Sequence, residues 1–90
     1  MPRFLVESYI SDSSTAFDDA CERARLTAQA SAGVSYVHTT FLPGDETVLH
    51  LFEADSTAVL ESAGRKVGLR FERLVEAIED TADQRKESGK

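Results

Sequence analysis

Ninety residues with a formal net charge of −6 allow one small domain; at that size only about 60–65% of the unfolded surface is hidden, so pairing with a second copy is an expected source of stability. An isoelectric point near 4.8 implies repulsion from phosphate backbones and counts against nucleic acid as a partner. No apolar run approaches the roughly 18 residues of a membrane helix, and the lone cysteine, Cys21, excludes an internal disulfide and the Cys/His spacing of structural zinc.

Met1-Pro2-Arg3 leads straight into a strand pattern without a signal-peptide layout, so the expected location is cytoplasmic. Residues 3–10, RFLVESYI, read as the first strand, with Phe4 and Val6 on one face and Leu5, Glu7 and Tyr9 on the other. The cluster Ser11-Asp12-Ser13-Ser14 then offers N-capping side chains, and Thr15 with Asp18 three residues later approximates a capping box. In the helix that follows, Phe17, Cys21, Ala24 and Ala28 recur at helical spacing as a buried stripe, and Gly33 is expected at its C′ position.

Residues 34–54, VSYVHTTFLPGDETVLHLFEA, contain both histidines and read as a β-hairpin: two alternating runs rich in Val, Thr, Tyr and Phe flank Pro43-Gly44-Asp45. If those three residues form the loop, Leu42 faces Glu46 and His38 faces His50. Opposed strand residues hold their Cβ atoms about 5 Å apart, close enough for two imidazoles to share a proton or a metal ion. Slippage by one residue would instead send them to opposite faces. In the three-residue register Val37, Thr39, Phe41, Leu49 and Leu51 face the helices, while Tyr36, His38, Thr40, Val48, His50 and Phe52 form the other face.

Asp55-Ser56 caps a second helix with Val59, Leu60, Ala63 and Val67 as its stripe and Gly68 at its end. Gly64 within it costs about 1 kcal/mol against alanine. Residues 71–78, FERLVEAI, fit a helix or a strand; the order of the preceding elements favours a strand, which completes βαββαβ, the ferredoxin-like α+β sandwich with an antiparallel sheet and two helices on one face. The domain is expected over residues 1–79, with 80–90 as a tail lacking any apolar pattern. The helix-free face would then expose Tyr36, Val48 and Phe52 beside the histidines, and so much aromatic surface predicts a homodimer that buries the two sheets against each other in the manner of a dimeric α/β barrel.

The opening PRFLVESY, Tyr36-Val37-His38, the HLFEA run at 50–54, Gly68, and Phe71-Glu72-Arg73-Leu74-Val75-Glu76 resemble a family of small ferredoxin-like domains of unknown function that includes nickel-binding proteins. The resemblance spans residues 3–78 and implies a dimeric sandwich or barrel and transition-metal binding. Of the histidines in such relatives only His38 clearly matches; the first strand here ends Glu7-Ser8-Tyr9, and His50 stands where a cysteine is usual.

These considerations make His38, His50 and Glu7 the candidate ligands for nickel or another divalent transition metal, with Tyr9, Tyr36 and Phe52 as pocket or supporting residues. The competing expectation for the histidines is two polar aromatics at an interface, and for Glu7 a sheet-surface carboxylate paired with Arg73. Cys21 is expected to pack as a small core residue. The alternative function is an enzyme or small-molecule binder using the open sheet face as a pocket, with His38 or His50 as general base; no nucleophile triad, phosphate loop or carboxylate pair supports an enzyme.

Overall fold

A computed structural model describes residues 1–80. The chain runs β1 (Arg3–Tyr9), α1 (Ser14–Gln29), β2 (Val34–Leu42), a 3₁₀ turn (Pro43–Asp45), β3 (Thr47–Ala54), α2 (Thr57–Lys66) and β4 (Arg73–Ala77). The strands form one antiparallel sheet in the order β2-β3-β1-β4, the ferredoxin-like arrangement. Its two edges, β2 and β4, do not meet. The expected barrel is therefore corrected to an open sheet. The tail expected over 80–90 falls, from 81 onward, outside the described residues.

Both helices lie on one face, and the core between them and the sheet is built from Phe4, Val6, Ala24, Val34, Phe52, Leu60 and Ala63. Small side chains on the inner face of α1 let helix and sheet approach; Cys21 is buried among them, as its position in the stripe predicts. Ser13, not Thr15, caps α1, its Oγ accepting from the Ala16 N–H at 3.1 Å. The helix ends at Ala30, before Gly33. Gly33 has a different reason to be glycine: a Cβ there would lie 2.6 Å from Asp55 Oδ2. At α2 the expectations hold, with Ser56 Oγ accepting from the Val59 N–H at 3.2 Å and Gly68 in the left-handed region at φ 78°.

Gly64 is buried on α2, covered by Leu69 and Phe71 of the chain beyond the helix. A Cβ on Gly64 would lie 2.4 Å from Phe71 Cζ and 3.2 Å from Leu69 Cδ2, and Phe71 packs against the core. Gly64→Ala should therefore lose about 1–2 kcal/mol of unfolding free energy, the overpacking cost exceeding the helix-propensity gain of about 1 kcal/mol. Repeating the substitution in a Phe71→Leu background, with urea unfolding as the measure, should reduce the loss or reverse its sign; an equal loss in both backgrounds would mean that the ring is not the obstacle.

The hairpin departs from its expected register. Leu42 pairs with Thr47, so the loop takes in residues 43–46, one more than expected. Glu46 adopts the left-handed conformation at φ 49°, and its N–H donates to the Pro43 carbonyl at 3.2 Å. Gly44, free to take that conformation, does not. The pairing shift places His38 opposite Leu51 and Thr39 opposite His50. A register break between Tyr36 and His38 then inserts Val37 as an extra residue, and Tyr36 pairs with Phe52 on the helix side.

Candidate functional site

The histidines consequently occupy opposite faces of the sheet. His38 is exposed on the open face with Thr40, while His50 turns toward the helices and is 1% exposed. Glu7 shares the open face but is separated from β2 by the whole of β3. Its carboxylate accepts from the Tyr9 hydroxyl at 3.3 Å and faces Arg73 Nη1 at 3.9 Å, the surface pairing expected of a structural carboxylate. The adjacent Glu7 charge, and then the hydrogen bond to it, hold the Tyr9 phenol above its ordinary pKa.

His38, His50 and Glu7 thus do not form one donor set, and no group of three or more His, Cys, Asp or Glu side chains among the described residues could hold a metal ion. The residues do not fit the nickel site that the sequence resemblance implies. The expected aromatic open face is corrected as well. Phe52 and Val48 are fully buried under the helices and Tyr36 packs against that core, so the aromatic surface from which pairing between copies was inferred belongs to the interior of one chain. The open face carries Leu5, Leu49 and Val75 among charged and polar neighbours instead.

On the helix side, Tyr36, Thr39 and His50 form a hydrogen-bonded row. Thr39 Oγ1 lies 2.7 Å from His50 Nδ1 and shares a second hydrogen bond with the Tyr36 hydroxyl. Phe52 packs beside the imidazole, ring centroids 6.2 Å apart. The hairpin thereby fixes one edge of the His50 ring. Its other nitrogen, Nε2, is buried and has no hydrogen-bonding partner among the described residues. Burial pushes the imidazole down from 6.5 to about 4, because the charged form loses its hydration. The ring is neutral at physiological pH.

His50 lines a cavity of about 240 Å³ between the N-terminal half of α1, the end of β1 and the connection from α2 to β4. Its polar lining includes Ser8, Asp19, Arg23 and Arg70, and Ile10, Ala20 and Leu69 supply apolar wall. Arg23 is anchored there: Nη1 donates to the Val67 carbonyl at 2.9 Å, and Nε lies 3.6 Å from Asp19 Oδ1. Gly68 lies against the guanidinium, where an added Cβ would be 3.2 Å from Nη1. Arg70 projects from the connection with 70% of its side chain exposed and lies 3.6 Å from Glu72. Of the six candidate site residues read from the sequence, only His50 lines this cavity; Tyr36 supports it from behind through Thr39, and Phe52 packs beside it.

A solved structure, that of SCO4226 from Streptomyces coelicolor A3(2), is similar to this chain with a TM-score of 0.70 at 13% identity, over 88% of this chain and 99% of the other. The likeness is one of fold. No protein-family model and no curated protein matches the chain. No helix of the described residues is long and apolar enough to cross a membrane.

Proposed function

We propose that this domain binds a small polar molecule in the helix-side cavity, with His50 Nε2 as the interior hydrogen-bonding group. The observation that carries the reading is the unpartnered nitrogen on a ring 1% exposed. A buried polar group left unpaired costs about 1–3 kcal/mol, and nearly all such groups find partners. A partner supplied through the cavity would remove that cost. The pocket expected on the open sheet face is thereby moved to the opposite side of the sheet.

Binding is favoured over acid–base catalysis by the same burial. A base works best with a pKa near the working pH, whereas His50 is held at about 4; at neutral pH it offers a fixed hydrogen bond and little driving force for proton abstraction. The test is a two-dimensional NMR screen of the whole chain against a library of charged and neutral fragments. Fragments that perturb Ser8, His50 and Leu69 together, and whose effect is lost in His50→Leu while the remaining spectrum stays folded, are the expected result. A library that moves none of these signals would refute a binding cavity.

A further inference from the structure

The geometry points to a short hydroxycarboxylate as the ligand of this cavity, its carboxylate held at Arg23 and Arg70 and its hydroxyl at His50 Nε2. The inference rests on the binding reading above and specifies its chemistry. The charged side chains lining the cavity are Arg23, Arg70 and Asp19; Asp19 lies 3.6 Å from Arg23, and Glu72, outside the lining, lies 3.6 Å from Arg70, so only within the lining do cations outnumber anions by one. A monoanion matches that local excess by taking the place of the exposed Glu72 carboxylate on Arg70. A dianion such as phosphate would exceed it in a chain whose net charge is already −6.

Three further features suit the same ligand. Guanidinium groups present paired N–H donors that match a carboxylate, and Arg23 is held in place by the Val67 carbonyl, so little side-chain freedom is lost on binding. The cavity also reaches Ser11 and Ala16 at the start of α1, where the helix carries partial positive charge and has no acidic residue in its first turn. The wall also includes Ile10, Ala20 and Leu69, which suits a short hydrocarbon chain. The volume of about 240 Å³ corresponds to about eight water molecules at liquid density, and hence to a ligand of about that many heavy atoms.

Thr39 from β2 holds His50 Nδ1 and is itself bonded to Tyr36, and the polar groups that share the cavity with His50 are Ser8 from β1, Ser11 from the turn before α1, Asp19 and Arg23 from α1, and Arg70 from the connection to β4. None of these is an unpaired carboxylate that would occupy Nε2 from within the chain: the Asp19 carboxylate lies 3.6 Å from Arg23. The hydroxyl of the ligand can donate to Nε2 or accept from it, so either neutral tautomer of His50 is served.

The test titrates the full chain, followed by NMR, with 4-hydroxybutyrate, butyrate, 1,4-butanediol and inorganic phosphate. The hydroxy acid should bind most tightly, with butyrate and the diol each weaker by about tenfold for the loss of one end. Arg70→Gln, a change at an exposed position that should leave the fold intact, should weaken both acids by about tenfold and leave the diol unaffected. A diol that binds as tightly as the acids, acids indifferent to Arg70→Gln, or phosphate that outcompetes them would each overturn the carboxylate assignment. So would four probes that all fail to bind. In every one of those cases the binding cavity itself would stand if fragments of other chemistry still perturbed Ser8, His50 and Leu69, and would fall with the assignment if none did.

Discussion

Phe52→Ala should lower the unfolding free energy by about 3–5 kcal/mol, the usual cost of removing a buried phenyl ring. Phe52 is 0% exposed, lies 5.7 Å from Tyr36 and 6.2 Å from His50 by ring centroids, and belongs to the cluster between sheet and helices. A small domain has about 5–15 kcal/mol in total, so the variant should unfold at much lower urea concentration with an unchanged slope. The same substitution reports which face of β3 meets the helices. Were Leu49 and Leu51 the helix-facing residues of β3, as the sequence suggests, Phe52 would stand on the open face, where replacement costs about 0.5 kcal/mol. A measured loss that small would put His50, two residues away on the same strand, on the open face with Phe52 and remove the cavity's interior group.

The order of elements was legible because each has a local signature: alternation in the strands, capping serines ahead of both helices, Gly68 at the end of α2. Cys21 in the α1 stripe and Glu7 opposite Arg73 followed from the same periodicities. The facing of the hairpin was not legible, and three residues show why. Glu46 takes the left-handed conformation two residues after a glycine better suited to it, so the loop's composition misreports its length. Val37 forms the irregularity in β2 with no glycine to mark it. β3 is a central strand largely buried on both faces, so Val48, His50 and Phe52 compete on equal terms with Leu49 and Leu51 for the core. Assigning the histidine to the wetter face was the natural resolution, and the folded chain does the reverse. The cavity was less legible still, since Ser8, Arg23 and Arg70 come from three separate elements with no spacing that joins them. The one available signal was a histidine within an otherwise apolar central strand, a polar group that needs a partner from elsewhere.

Acidification should expose that arrangement through stability. An unfolded histidine takes up its proton near 6.5, whereas His50 in the folded chain does so only near 4; between those values the unfolded state binds more protons, so stability falls as pH falls. The contribution is complete above about pH 6.5 and lost by about pH 4, and a depression of that size is worth about 3 kcal/mol. Carboxylates titrate over part of the same range, so the quantity to measure is the difference between wild type and His50→Gln, in which they are common to both. Urea unfolding at pH 7.5, 5.5 and 4.0 should show wild type losing about 3 kcal/mol more than the variant over the whole span, divided about equally between the two intervals. Parallel curves would mean that the imidazole meets solvent in the folded chain, and an Nε2 that meets solvent has no need of a ligand.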